Sequence, residues 1–501
     1  MGYHVRFYEC KEDFFPYASA VCHGGKNIYN TGNYYIRNTM TALSKEEKDR
    51  FPQEKEILSV IKESVKKQNI LKSSKFSNEL WKVFLKEEKE PFQAMMDKID
   101  KTHDFREPTK DFWFLDYVML DLIFKQSENP DYNYMHKQYV QNALRKLVGA
   151  WDGYFSSLKE YQKNPNAFTG KPKIPKYKKV QEIPVRISGQ YLTFKETPKG
   201  TLLLFPFQEI DEKKVRGQIL INNLPDEKIA VAEIQPYYGK YRLILTFGKA
   251  EEKDISNHQP VNIMGLDPGV KNFAAITDNT GGNPVIIKGG FLKARNQYFN
   301  KRKAELLSKL TKGKDSKHSK KTSRQLYSLS RKRENFFRDC FYKISHRICK
   351  LAKARNIDTL VIGKNTYWKQ NTHMGKKNNQ EFVSIPFLKF YQILEYVASQ
   401  YDIITYYQDE SYTSKASFLD NDDIPTYKEG VSQKYIFSGK RRNRGLYFSK
   451  DRTSLNADVN GSANIIRKFK SDAFANVKKE TVLQKIDVYT FKDFYPERKV
   501  V

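Results

Sequence analysis

Val261-Asn-Ile-Met-Gly-Leu-Asp267-Pro-Gly-Val-Lys-Asn272-Phe-Ala-Ala-Ile-Thr277 is the stretch on which the fold reading turns. Its two apolar runs are strand-like, and Asp267-Pro-Gly269 between them is a turn, because proline presets φ and glycine tolerates a tight reversal. Strand one is expected at 261–266 and strand two at 272–277. A second turn, Asp278-Asn-Thr-Gly-Gly282, leads to strand three at 284–287. Three consecutive antiparallel strands are therefore expected.

A long helical region follows, whose later part carries Phe337, Phe341, Ile344, Ile348 and Leu351 at helical spacing. Strand four is expected at 358–363. A helix opens near Ser384-Ile-Pro386, with serine as N-cap and proline in the first turn, and carries Phe387, Phe390, Tyr391, Leu394 and Val397. Strand five is expected at 403–408 and a last helix at 457–468, after a polar basic loop. The order β-β-β-α-β-α-β-α is that of an RNase H-like fold. The tail after 470 carries no clear signal.

Upstream, residues 1–170 read as mainly helical. Val140, Leu144, Leu147, Trp151, Phe155 and Leu158 form one apolar stripe over 139–161. Gly170-Lys-Pro-Lys-Ile-Pro-Lys-Tyr-Lys-Lys179 cannot be helical and carries five lysines. It is either a basic linker or a nucleic-acid contact. Residues 180–250 alternate as strands, which fits a small β-barrel or a twisted sheet. The fold class expected is α+β multidomain.

The chain has 501 residues, enough for two to four domains. Its 88 Lys+Arg and 58 Asp+Glu leave a formal charge of +30. Self-repulsion on that scale calls for a polyanionic partner, and nucleic acid is the natural one, since each phosphate contact releases counterions. A membrane is disfavoured, because no apolar run approaches the length of a span. With no N-terminal signal pattern, a cytoplasmic, nucleoid-associated protein is expected. Cys10, Cys22, Cys340 and Cys349 make no C-x-x-C pair, so no zinc is expected. The region 295–333 is strongly basic, and Arg331, Lys332 and Arg333 are candidate phosphate contacts. So are Lys171, Lys173, Lys176, Tyr177 and Lys178, and Lys440, Arg441, Arg442 and Arg444 on the loop before the last helix.

Three acids are candidates for chemistry. Asp267 ends a buried strand; a lone Asp-Pro-Gly is first of all a turn. Asp458 begins a helix in Asn456-Ala-Asp-Val-Asn-Gly-Ser-Ala-Asn464, where a capping or dipole role competes with a metal role. Oxygen ligands of this kind suit Mg²⁺, and two such ions would stabilise both the attacking and the leaving oxygen in phosphodiester cleavage. A third acid is usual at the end of strand four, but that end reads Ile362-Gly363-Lys364-Asn365. Glu410, past the end of strand five, is one strand spacing away, and Gly363 would leave it room. Asp409 should face the other way.

These residues carry a resemblance to the TnpB family of transposon-encoded RNA-guided nucleases, relatives of type V CRISPR effectors. The matching blocks are 25–37, Trp151 with 171–178, Gly265–Asn272, Val361–Asn365 with Trp368-Lys-Gln370, Glu410-Ser-Tyr-Thr-Ser-Lys415, 437–447 and Asn456–Gly461. The resemblance implies a wedge domain from 1–10 and 176–256, a helical recognition domain at 11–175, a RuvC nuclease domain at 257–470 and a tail at 471–501. It implies a guide RNA, double-stranded target DNA, recognition of a target-adjacent motif, an R-loop, and Mg²⁺-dependent cutting by Asp267, Glu410 and Asp458. This chain departs from many relatives by lacking zinc-finger cysteines after Thr413-Ser414 and by having Gly363 in place of glutamate. Some TnpB-like proteins have lost the nuclease and act as RNA-guided repressors, and Gly363 is the main support for that alternative here. A DNA-strand transposase is a third reading, without the His and Tyr nucleophile arrangement expected of one.

Overall fold

The computed structural model describes residues 2–84, 105–250, 258–313, 322–364, 385–426, 434–443 and 445–496. The chain divides into two compact units, Tyr3–Ala250 and Glu251–Val501, the latter joined by Met1–Gly2.

In the first unit, strand β1 (Gly2–Glu9) precedes helices α1 (Phe15–Leu43), α2 (Pro52–Phe84), α3 (Tyr117–Gln126) and α4 (Lys137–Lys163). The expected stripe lies on α4. Val140, Leu144, Leu147 and Trp151 are buried, and the Trp151 indole donates to Asn33 Oδ1 at 3.0 Å. Helix α1 packs closely on α4 at Gly32, where a Cβ would stand 2.6 Å from Leu147 Cδ2. The proline-lysine stretch is docked on α1 rather than being a free linker. Asn30 donates to Lys178 O at 3.0 Å and accepts from Lys178 N at 2.7 Å, and both Asn33 and Arg37 donate to Pro175 O.

Six strands complete this unit: β2 (Val185–Ser188), β3 (Thr193–Thr197), β4 (Gly200–Ile210), β5 (Lys213–Ile221), β6 (Ile229–Tyr237) and β7 (Lys240–Ala250). They form two hydrogen-bonded sheets, β1-β7-β6-β2 and β3-β4-β5. Strand β6 departs from the alternation expected over 180–250. Its interior Glu233, Gln235 and Pro236 break the alternation that marks its neighbours.

In the second unit, β8 (Ile263–Pro268), β9 (Asn272–Asp278) and β10 (Val285–Lys288) are consecutive and antiparallel, as expected. Helices α5 (Gly290–Thr311) and α6 (Arg324–Ala354) lead to β11 (Thr359–Lys364). Helix α7 (Phe387–Gln400) precedes β12 (Ile404–Asp409), and β13 (Lys440–Asn443), β14 (Leu446–Phe448) and β15 (Ser454–Asn456) precede α8 (Ala457–Phe469). Strands β11 and β12 join in parallel to give the order β12-β11-β8-β9-β10, extended by β16 (Asp487–Tyr489) beside β10. That last strand is three residues of the tail, too short to show a period. The expected N-cap Ser384 lies outside the described residues, and Pro386 stands just before α7 rather than in its first turn. The loop expected between strand five and the last helix contains the antiparallel sheet β13-β14-β15.

Each face of the large sheet has its own core. Phe273 stacks on Phe341 and Phe387 at 5.7 and 5.5 Å, which seats α6 and α7 on one face. Ile263 and Val361 pack with Val459, Ala463 and Ile466 of α8 on the other. Alternation along β8 therefore points Ile263, Gly265 and Asp267 toward α8.

Candidate active site

Gly265 lets α8 approach the sheet. A Cβ there would lie 2.6 Å from Ser462 O, and the Ser462 hydroxyl donates to Gly265 O at 2.9 Å. One residue earlier on α8, a Cβ on Gly461 would lie 2.6 Å from Asp267 Oδ2. The Asp267 carboxyl thus rests against Gly461 of α8, the helix whose second residue is Asp458. The buried amides of the same helix hold the loop after β12. Asn464 Nδ2 donates to Thr413 O and Ala416 O at 2.9 and 2.7 Å, and Asn460 Nδ2 donates to Ala416 O at 2.9 Å. Glu410 is tied to that loop, because Thr413 N and Oγ1 both donate to Glu410 O.

The register places Ile362 beside Leu266 and Gly363 beside Gln408, so Asp267, Gly363 and Gln408 follow one another across three strand ends. Glu410, two residues past Gln408, folds over the glycine: a Cβ on Gly363 would be 3.1 Å from Glu410 Oε2. Asp409 was expected on the opposite face of the sheet; instead it turns to the last turn of α8, where it pairs with Lys468 at 2.8 Å. That ammonium also donates to Ser411 O and Pro425 O. Burial alone would raise the Asp409 pKa; Lys468 and Ser411 overcome it and hold the carboxyl below its usual range.

Asp267 shows the opposite balance. Burial, then Glu410, then Asp458 push its carboxyl well above the usual range, against a smaller opposing pull from Arg441. The residue keeps some exposed surface, but its carboxyl is crowded by protein atoms, so desolvation dominates. Tyr391, buried on α7, is also raised by burial and then by Glu410 and Asp267. Glu410 and Asp458 therefore both act on the Asp267 carboxyl.

Asp458 is not the cap of its helix: Asn456 Oδ1 accepts from Asp458 N and Val459 N at 2.9 and 3.3 Å. The Asp458 carboxylate is left for other partners. Asn272 Nδ2 donates to its Oδ2 at 2.7 Å, and Arg441 Nη2 donates to its Oδ1 at 3.2 Å. Lys288 Nζ donates to Asn272 Oδ1 at 3.0 Å. Asn272 and Lys288 were not singled out in the sequence. The signal for Asn272 was its place in the Asp-Pro-Gly block; for Lys288 there was none. Among the described residues, no group of three or more His, Cys, Asp or Glu side chains is gathered as a formed metal centre. The donor set of Asp267, Glu410 and Asp458 is all oxygen and strongly anionic, which fits a hard divalent cation.

The basic candidates are dispersed. Lys178 lies over the Tyr29 ring and Arg37 over Tyr177, both at 4.7 Å. A cavity of about 400 Å³ there is lined by Tyr29, Lys173, Lys176, Tyr177 and Lys178; Lys171 lies on the same stretch. In the second unit, Lys332 and Arg333 line a cavity of about 320 Å³ with Arg295, Tyr298 and Arg302. Arg333 is engaged in packing, bonded to Asn296 and stacked on Phe299 and Phe337. Arg331 is on the same helix, α6. Lys440, Arg441 and Arg442 form β13, and Arg444 lies outside the described residues. The four cysteines are buried and free. No described helix is long and apolar enough to cross a membrane.

No curated protein matches the chain. Among solved structures it is similar to the protein of a Cas12f1-sgRNA-target DNA complex, at 14% identity over 92% of this chain and 98% of that one, with a TM-score of 0.47. It is similar to a CRISPR-Cas12f ternary complex at 13% identity, covering 82% and 81%, with a TM-score of 0.29. Similarity to Alicyclobacillus acidoterrestris C2c1 in complex with single-guide RNA is 9% in identity, covering 89% and 70%, with a TM-score of 0.33. The OrfB_IS605 family model, described as a probable transposase, matches residues 249–369, a span that contains Asp267 and stops before Glu410 and Asp458. Over residues 249–369 the chain accordingly resembles the OrfB_IS605 family of probable transposases.

Proposed function

We propose that the chain is an RNA-guided DNA endonuclease whose second unit is an RNase H-like, RuvC-type nuclease domain. What carries this reading is that Asp267 lies against Gly461 near the start of α8, that Glu410 lies over Gly363 beside it, and that Glu410 and Asp458 both act on the Asp267 carboxyl. The strand order, three antiparallel and two parallel strands, supports it. So do the family match and the +30 charge, which suits a guide RNA and a double-stranded DNA target. A target-adjacent motif and an R-loop belong to the same proposal. The domain reading keeps 1–10 and 176–256 as a wedge, 11–175 as a recognition domain, 257–470 as nuclease and 471–501 as a tail.

Asp267, Glu410 and Asp458 would hold Mg²⁺. When bound, it supplies charge stabilisation at the phosphate and a more acidic water for phosphodiester hydrolysis. The chain's own work is to keep those carboxylates in place. Gly461 and Gly363 give Asp267 and Glu410 their room, and Asn460 and Asn464 fix the loop that carries Glu410. Arg441, ion-paired to Asp458 and 40% exposed, is placed to exchange that carboxylate for a backbone phosphate. Gly363, the support for a cleavage-deficient repressor, is the residue over which Glu410 folds, and this favours the nuclease. The test is Mg²⁺-dependent cleavage of matched target by guide-loaded protein. Cutting that is lost in Asp267→Ala and Asp458→Ala, with target binding kept, supports the nuclease. Binding without cutting by the unmodified protein supports the repressor.

A further inference from the structure

We infer that Lys288 and Asn272 are a positioning pair that orients the Asp458 carboxylate for cation binding, an inference that rests on the metal-dependent reading above. Lys288 and Asn272 are direct partners on the adjacent strands β10 and β9, and the register shifts between Ile287 and Lys288. A bulge of that kind re-aims a side chain. Here the lysine reaches the amide of Asn272, which is 8% exposed and sits 186 residues from Asp458 in sequence.

An amide has one accepting end and one donating end, and its orientation is set by its partners. Lys288 can only donate, so it holds Asn272 Oδ1 toward itself. The Asn272 NH₂ is thereby turned to Asp458 Oδ2 at 2.7 Å. The other oxygen, Oδ1, is held at 3.2 Å by Arg441, whose side chain is 40% exposed. Asp458 therefore has one oxygen fixed from inside the sheet and one held from the surface. A divalent cation would take the second, in exchange for the guanidinium. Side chains that orient a metal-binding carboxylate in this way typically change metal affinity about 10–100-fold when removed.

The sign separates this role from simple charge. A lysine near a cation site repels the cation, so its removal would tighten binding if charge were all that mattered. A positioning lysine gives the reverse. The experiment is a titration of the full chain with Mn²⁺, followed by the loss of the free-ion electron paramagnetic resonance signal. Lys288→Met is expected to weaken Mn²⁺ binding about tenfold, and Lys288→Arg, which keeps a donor, to stay near the unmodified protein. Asn272→Ala should weaken binding similarly, and adding Lys288→Met to it should change nothing further. Thermal melting checks that each variant folds, and Lys288→Leu, which likewise has no donor, serves if the methionine variant does not. Unchanged or tighter binding by Lys288→Met, or losses that add in the double variant, overturns the inference. Asp458→Ala separates the two levels. If it leaves Mn²⁺ binding intact, the metal reading itself fails; if it abolishes binding while Lys288→Met does not weaken it, only the positioning role fails.

Discussion

Asp267 and Asp409 are both strand-end carboxylates, and their surroundings give them opposite roles. The Asp267 carboxyl is desolvated beside two other acids, so its ionised form is disfavoured in the folded protein. A carboxyl with a raised folded-state pKa contributes stability at low pH that is lost as pH rises through that pKa. Asp267→Asn should therefore stabilise the metal-free protein at neutral pH by roughly 0.5–2 kcal/mol while abolishing cutting. A melting temperature that falls instead would show that the carboxylates do not repel. Asp409 is held below its usual range by Lys468, whose side chain is 5% exposed. Its contribution is full at neutral pH and is lost as pH falls below the unfolded carboxylate value of about 3.9. Asp409→Ala should cost about 1–3 kcal/mol by leaving that buried ammonium without its counter-ion. It should lower the melting temperature at pH 7 and leave cutting by the folded fraction largely intact. The three candidate acids stand out in the sequence because each lies at an element end in a distinctive block. Asn272 and Lys288 do not, since their meaning depends on a strand register and a bulge that no local pattern encodes.

The large sheet was legible element by element because its strands are short apolar runs punctuated by glycine and proline, and its helices carry clear stripes. The additions to it were not. Strands β13, β14 and β15 are three or four residues each and β13 is basic, so they read as a loop; yet they carry Arg441 to Asp458. Strand β16 is invisible for the same reason. At this scale the close approach of α8 to β8 is the feature to test. Gly461→Ala should favour the helix by propensity, by up to about 1 kcal/mol. Its methyl group would nevertheless meet Asp267 Oδ2, since the Cβ position is 2.6 Å away. We expect a folded protein whose cutting and Mn²⁺ affinity both fall at least tenfold, a displacement effect of the size that misplaced ligands produce. Wild-type cutting by Gly461→Ala would show that Asp267 does not need that position.

At the scale of the molecule, the charge of +30 predicts a protein that carries RNA when purified, visible as a 260/280 nm ratio that drops after RNase. Its affinity for nucleic acid should fall steeply and linearly with the logarithm of salt concentration. Binding that salt does not weaken would contradict the electrostatic account. The multidomain α/β class was legible from the change of periodicity near residue 260, whereas the split of 185–250 into two sheets depended on long-range pairing. The central claim is that Glu410 has taken the place left by Gly363 in a metal-dependent nuclease. The most direct measurement is Mg²⁺-dependent cleavage of matched double-stranded target by guide-loaded unmodified protein and by Glu410→Gln, with target binding measured alongside. Loss of several kcal/mol of transition-state stabilisation corresponds to about a hundredfold or more in rate. The account predicts cutting by the first, at least that loss in the second, and equal binding by both. Full cutting by Glu410→Gln would contradict it.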